Sequence, residues 1–203
     1  MGNNEERVEI IGFHGTDVIS CKKILGNGCS FKESKKETEW AGTGIYFFIS
    51  EKDKKAYNDA HKWATDIKKI PNKNVSVIKA NIRINKNKIL DLREELTFEI
   101  FHEYKDSMFQ KAIEAAREKK QKLKKDSING RRLDTKAINR FCEEMRMHAV
   151  IVQRYINFKK NSKDNIEHLY DDYASSIPNC TIFCLRNQSF IIKKECIKNE
   201  WSS

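Results

Sequence analysis

The spacing of apolar residues along the chain alternates between two periods, one typical of strands and one typical of helices. Runs rich in β-branched and aromatic residues predict strands at 8–14, 41–49, 74–84, 86–92, 148–156 and 180–192. Apolar residues at helical spacing predict helices at 18–25, 51–67, 97–125 and 134–146. Strands therefore predominate towards both ends and helices in the middle, unlike the regular alternation of a doubly wound fold. The pattern predicts one α+β domain over 1–203, with a basic helical insertion at about 97–146.

Two glycines flank a histidine at the end of the first predicted strand. Gly12 and Gly15 lie on either side of His14, a spacing that favours neither a helix nor a plain strand. Asp17, which follows, suits the N-cap of the first predicted helix. The glycines indicate that the backbone comes close to another group at this point.

A second pair of glycines precedes the aromatic strand "GIYFF". Gly42 and Gly44 come directly before Tyr46, and they too indicate close approach to the backbone. An approachable backbone, an imidazole and an aromatic ring together suit a flat group with hydrogen-bonding edges, such as a nicotinamide. Its carboxamide can pair with the N–H and C=O of Gly15 while its ring stacks on Tyr46.

The charge balance favours anionic partners. The 39 Lys and Arg residues outnumber the 29 Asp and Glu residues, for a net charge of +10. Between Lys105 and Lys125 there are eight basic residues and three acidic ones. Nucleic acid, phosphorylated ligands and membrane surfaces all attract such a chain, and a solvated lysine-rich surface is the alternative explanation.

Cysteine usage and hydropathy predict a cytoplasmic protein without a metal. The six cysteines include no CxxC pair, which argues against a zinc site and for reduced thiols. No apolar run approaches the length of a membrane span, and the N-terminal residues contain no apolar signal segment. We therefore expect neither a metal nor a membrane partner.

Two motifs carry a resemblance to a known family. The "FHGT" of the first strand and the "GxGIYF" about thirty residues later resemble the ADP-ribosyltransferases of the diphtheria-toxin and poly(ADP-ribose) polymerase type. That family has a His–Tyr–Glu triad, with each member on a different strand. The resemblance covers 8–92 well and 148–192 loosely, and it does not include the basic helical middle. It implies an ADP-ribosyltransferase fold, with two packed β-sheets around a cleft for NAD.

The resemblance also implies roles for individual residues. His14 would hydrogen-bond the adenosine ribose, and Gly15 would hold the carboxamide. Tyr46 would stack on the nicotinamide, with Tyr57 on its other face. In the family a carboxylate on the third strand then stabilises the positive charge that develops on the ribose. The cofactor-binding residues implied in this chain are His14, Gly15, Thr16, Gly44, Tyr46 and Tyr57.

The third member of the triad departs from the family pattern. The segment "NCTIFCLRN" at 179–187 contains neither Glu nor Asp. A loose alignment brings Cys180, Thr181 or Ile182 to the catalytic place, and only the first two are polar. We take Thr181 as the candidate, beside His14 and Tyr46. The departure weakens the expectation of polymer formation most and that of NAD binding least.

Two functions from different classes are consistent with these features. The first is an NAD-dependent mono-ADP-ribosyltransferase that modifies nucleic acid or protein, as a toxin or anti-phage effector with an antitoxin partner. Its nucleic-acid contacts are expected at Lys119, Lys120, Lys122 and Lys124. The second is an inactive module of the same fold that binds nucleic acid or a nucleotide. An RNA 2′-phosphotransferase shares the fold but needs an arginine-centred phosphate site that these motifs do not provide.

Overall fold

The structure, a computed structural model, describes residues 6–26, 30–118, 130–158 and 177–197. These form an α+β arrangement of a seven-stranded mixed sheet and four helices. The strands are β1 (Arg7–Asp17), β2 (Ile45–Ile49), β3 (Val75–Asn85), β4 (Ile89–Asp91), β5 (Ala149–Arg154), β6 (Cys180–Leu185) and β7 (Ile191–Ile197). The helices are α1 (Val18–Leu25), α2 (Asp53–Lys62), α3 (Glu95–Glu118) and α4 (Gly130–Glu144). In this described part of the chain, no helix is both long and apolar enough to cross a membrane.

The strands are ordered β4-β5-β6-β2-β1-β3-β7, and only the β4–β5 pair is parallel. The expectation of two packed sheets is therefore wrong for the described strands, which form one sheet. The sheet is nonetheless nearly divided in two. β1 pairs with β3 from Arg7 to Asp17, whereas its register with β2 consists of Phe13 opposite Phe48. A four-stranded part and a three-stranded part thus meet at one pair, which we call the split.

The predicted strand at 180–192 is also wrong, because it comprises two strands in different parts of the sheet. β6 lies beside β2, whereas β7 forms the edge beside β3. Between them the side chain of Asn187 accepts a hydrogen bond from Ser189 N at 2.9 Å and begins a short 3₁₀ turn. Both halves are apolar, so periodicity alone does not reveal the break.

The remaining predicted elements are confirmed with shifted ends, except that positions 119–125 of the helix predicted at 97–125 lie outside the described residues. Asp17 caps α1 as expected, since its Oδ1 accepts from Ser20 N at 2.8 Å. The predicted helix at 51–67 is α2 followed by a π-helical turn over Trp63–Ile67.

The sheet is covered on both faces. On the α2 face, Phe13, Phe48, Tyr57 and Ile182 pack with residues of α3 and α4. On the α1 face, Cys21, Phe47, Ile78 and Phe183 form a separate cluster. Because successive strand residues point to opposite faces, Phe47 and Phe48 belong to different clusters. Each fully buried large apolar side chain contributes roughly 1.5–3 kcal/mol to stability.

Candidate functional site

The three sequence motifs lie on three adjacent strands in the middle of the sheet. β1 carries His14, β2 carries Tyr46, and β6 carries Thr181. In the β2–β6 ladder Tyr46 lies opposite Cys184, and Thr181 lies opposite Ile49. The fold thus gathers motifs that are far apart in the chain around the split.

His14 connects the two parts of the sheet just beyond the Phe13–Phe48 pair. Its Nδ1 lies 2.8 Å from the carbonyl oxygen of Tyr46. A carbonyl only accepts hydrogen bonds, so Nδ1 carries the proton and Nε2 carries a lone pair. The half-buried ring packs edge-on against Phe31 and Phe47, at centroid distances of 5.3 and 5.9 Å. Within the described residues Nε2 has no hydrogen-bond partner, so it can accept a bond from a ligand hydroxyl.

Burial keeps the His14 imidazole neutral. It lowers the pKa of His14, the hydrogen bond to Tyr46 opposes this effect, and the positive charge of Lys68 lowers the pKa further. A histidine in an unfolded chain has a pKa of about 6.5. At neutral pH the folded protein therefore presents a neutral ring whose Nε2 is an acceptor.

The lowered pKa of His14 predicts a loss of stability in mild acid. The unfolded chain binds this proton more readily, so the His14 contribution is fully present above about pH 6.5 and is lost as the pH falls below that value. We expect the free energy of unfolding to decline between about pH 7 and pH 5, and to decline less in His14→Asn, which does not titrate. Urea unfolding across this range measures the difference. Parallel curves for the two proteins would contradict the assignment.

Tyr46 is held by the loop that precedes it. Its Oη donates to the carbonyl of Gly42 at 2.5 Å and accepts from Ala41 N at 3.1 Å. Burial raises the pKa of Tyr46, so the phenol stays protonated. The ring packs with the α2-face cluster, whereas His14 packs on Phe47 of the α1 face. The carbonyl of Tyr46, and not its ring, therefore contacts the imidazole.

The glycines before Tyr46 approach protein groups. Gly42 has φ +75°, and a Cβ there would lie 2.5 Å from Oδ1 of Asn139 in α4. That oxygen also accepts from Thr43 N and from Nη1 of Arg186, each at 2.8 Å. Gly44 pairs with Ser34 across an isolated bridge. The insertion helix α4 and the end of β6 thus hold the loop in place, and no local sequence signal indicated Asn139 or Arg186.

At Gly15 too, the group that comes close to the backbone belongs to the protein itself. It lies opposite Val77 of β3, and a Cβ at Gly15 would come within 2.0 Å of the carbonyl oxygen of Ala60 in α2. The prediction of a close backbone approach is confirmed, but the approaching group is a helix backbone and not a ligand. Thr16, the next residue, lies opposite Ser76 and is half-buried.

Tyr57 belongs to the core. Its side chain is only 3% exposed, meets Phe13 edge-on with ring centroids 6.5 Å apart, and stacks on His61 at 6.2 Å. Burial raises the pKa of its hydroxyl. In this structure Tyr57 therefore does not offer the free second face that a nicotinamide sandwich requires.

A carboxylate does lie at the start of β6, but it comes from α2. Asp59 is 8% exposed and adjoins Cys180. Burial raises the pKa of the Cys180 thiol, and the negative charge of Asp59 raises it further. Nζ of Lys55 lies 2.6 Å from Oδ2 of Asp59 and also 2.6 Å from the carbonyl of Asn179. Thr181 is half-buried and follows on the opposite face of the strand. Sequence reasoning missed Asp59 because it sought the third catalytic residue only in the segment 179–187.

Comparison with protein-family models, curated proteins and solved structures finds no match for this chain. The resemblance to ADP-ribosyltransferases therefore depends on the motif residues alone. Among the described residues no group of three or more His, Cys, Asp or Glu side chains is placed to hold a metal ion.

The lysines expected to contact nucleic acid, Lys119, Lys120, Lys122 and Lys124, lie outside the described residues. From Lys105 to the end of α3, three basic residues are balanced by three acidic ones. Nζ of Lys105 itself lies 3.2 Å from Asp134 of α4. The excess positive charge of this region therefore belongs to the segment after α3.

Proposed function

We propose that this chain is an NAD-dependent mono-ADP-ribosyltransferase whose acceptor is RNA or single-stranded DNA, acting as a toxin or anti-phage effector. The observation that carries the proposal is that the three motifs lie on the neighbouring strands β1, β2 and β6, and that Nε2 of His14 has no hydrogen-bond partner among the described residues. A His–Tyr triad site needs its motifs on neighbouring strands, and the order β6-β2-β1 supports the proposal to that extent. The ADP-ribosyltransferase fold itself remains part of this proposal.

His14 fits the ribose contact. Its protonated Nδ1 is engaged by the Tyr46 carbonyl, so Nε2 is left to accept a hydrogen bond from a ribose hydroxyl. The His14 and Tyr46 rings project from opposite faces of the sheet. A dinucleotide that contacts both would need β1 and β2 to part at the split, where Phe13 and Phe48 are 2% and 7% exposed. Stacking would be one-sided, on Tyr46, since Tyr57 is buried.

The transfer would break the bond between the ribose C1′ and the nicotinamide nitrogen. Nicotinamide leaves with the bonding electrons, an acceptor nucleophile forms the new bond to C1′, and its proton passes to solvent. β6 supplies no carboxylate, so any such group would come from elsewhere. Asp59 is held by Lys55 beside Cys180.

An adduct search tests the reaction. The purified protein is incubated with NAD and with total RNA, single-stranded DNA or cell protein, and each fraction is analysed by mass spectrometry for ADP-ribose. The proposal expects adducts in nucleic acid and release of nicotinamide in equal amount. Adducts found only in protein would overturn the acceptor, and the absence of both adduct and nicotinamide would overturn the transferase.

Binding without catalysis is the second candidate, and the composition of β6 favours it. The strand that should carry the third catalytic residue has no carboxylate, and Tyr57 lies in the core. Such a module would bind a nucleotide through His14 and leave it intact. Retained NAD affinity without nicotinamide release distinguishes it from the enzyme.

Replacing Tyr46 tests the nicotinamide contact. We expect Tyr46→Ala to weaken NAD binding by about 0.5–1.5 kcal/mol through the lost stacking face. Tyr46→Phe is the matched control, because it keeps the ring and loses only the hydroxyl bonds to Gly42 and Ala41. Titration calorimetry of the three proteins measures the affinities. Equal affinity for wild type and Tyr46→Ala would exclude stacking on this ring.

Charge reversal at Lys119, Lys120, Lys122 and Lys124 tests the acceptor. If these residues follow a single strand, each neutralised phosphate contributes a slope of roughly −0.7 to log K against log salt. The reversed protein should bind RNA more weakly with a flatter slope, and NAD affinity should not change. Filter binding over a salt series measures both quantities. A weak and flat response from the wild type would contradict the nucleic-acid acceptor while leaving the transferase untouched.

A further inference from the structure

Two cysteines far apart in the sequence meet on the α1 face of the sheet. Cys21 of α1 is 3% exposed and packs in the same cluster as Ile78 of β3. Cys196 of β7 lies directly opposite Ile78 in the β3–β7 ladder and is exposed. Its neighbour Ile197 packs on the α2 face, so Cys196 projects towards α1.

A second contact joins the same two elements. Nζ of Lys194 donates to the carbonyl of Ile24 in the last turn of α1. Lys194 and Cys196 are two residues apart on one strand face, while Cys21 and Ile24 are three residues apart on one side of a helix. The two pairs therefore lie side by side, and they hold α1 against β7. Burial raises the pKa of the Cys21 thiol to about 12, and the nearby Cys196 thiol contributes a smaller part of that increase.

We propose that Cys21 and Cys196 form an oxidisable thiol pair, which a peroxide converts into an intramolecular disulfide linking α1 to β7. The exposed Cys196 thiolate attacks one oxygen of hydrogen peroxide, breaks the O–O bond and becomes a sulfenic acid, with hydroxide as the leaving group. The Cys21 sulfur then attacks the Cys196 sulfur, and hydroxide leaves and is protonated to water. In sum, two thiols lose one electron each, and one peroxide is reduced to two waters.

The order of attack follows from exposure. Cys196 is open to solvent, whereas Cys21 is buried and its raised pKa keeps it protonated at neutral pH. Oxidation selects accessible thiols that have a second thiol within reach. The other described cysteines, Cys142, Cys180 and Cys184, are all buried in the α2-face cluster. This inference does not depend on the proposed transferase activity.

Peroxide treatment of the reduced full-length protein tests the proposal. The remaining thiols are alkylated, and the peptides are mapped by mass spectrometry without reduction. We expect a Cys21–Cys196 peptide that is lighter by two hydrogens, and a thermal midpoint higher by roughly 5–10 °C because the link closes a long loop. A reductant should reverse both changes.

Serine variants provide the controls. Cys196→Ser removes an exposed thiol without disturbing the core and should abolish the linked peptide and the midpoint shift. Cys142→Ser, at a buried cysteine on the other face, should keep both. A disulfide to Cys29 or between two chains, over-oxidation of Cys196 without a link, or a link without a higher midpoint would each overturn the proposal.

Discussion

Replacing His14 with alanine is expected to abolish the proposed ADP-ribose transfer, and any growth toxicity, while the protein remains folded. The change removes the Nε2 acceptor that would orient the ribose, and loss of a positioning group costs activity by about 100-fold or more. It also leaves the Tyr46 carbonyl without the imidazole donor at 2.8 Å. An unsatisfied buried group costs about 1–3 kcal/mol, which reduces stability without unfolding a typical domain. Adduct yield and urea unfolding are measured on the same protein preparations.

His14→Asn separates the two roles of the ring. The asparagine amide can donate to the Tyr46 carbonyl in place of Nδ1, but it does not supply the Nε2 lone pair towards a ligand. We expect this variant to recover most of the stability lost in His14→Ala while remaining inactive. A folded His14→Ala protein with full activity would show that catalysis does not use this residue.

Gly15→Ala is expected to destabilise the fold severely. The added methyl carbon would lie 2.0 Å from the Ala60 carbonyl oxygen and 3.2 Å from the Cβ of Ala64. The first of these is helix backbone, which cannot rotate away, so α2 must shift from the sheet. Overpacking a core costs about 1–3 kcal/mol, and a clash with backbone belongs at or above the top of that range. Denaturant unfolding measures the loss directly.

Gly26→Ala is the matched control for that prediction. Gly26 caps α1 at φ −66°, and a Cβ there would meet its nearest neighbours at 3.4 Å. The conformation suits alanine, so the change should lie within about ±0.5 kcal/mol of the wild type. If Gly15→Ala is as stable as Gly26→Ala and loses only NAD binding, the glycine serves a ligand and the packing explanation is wrong.

The two glycine motifs show how a correct local inference acquires a different meaning in three dimensions. Sequence reasoning inferred close approach to the backbone at Gly15 and Gly42. The structure confirms both, with Ala60 and Asn139 as the approaching residues. A glycine indicates that there is no room for a side chain at its position. Which group fills that room depends on elements that are distant in the chain.

Sequence by itself determined the α+β class, the places of most helices and strands, and the Asp17 cap of α1. These features depend on the spacing of apolar residues and on contacts within one helical turn, so neighbouring residues in the sequence determine them. Tertiary structure alone decided the strand order, the division of 180–192 into two strands and the burial of Tyr57. It also decided which nitrogen of His14 carries the proton, because the Tyr46 carbonyl lies on another strand. Each of these depends on contacts between segments that are distant in the chain. Such contacts stabilise the protein only once the sheet has formed, so no local sequence pattern reveals them.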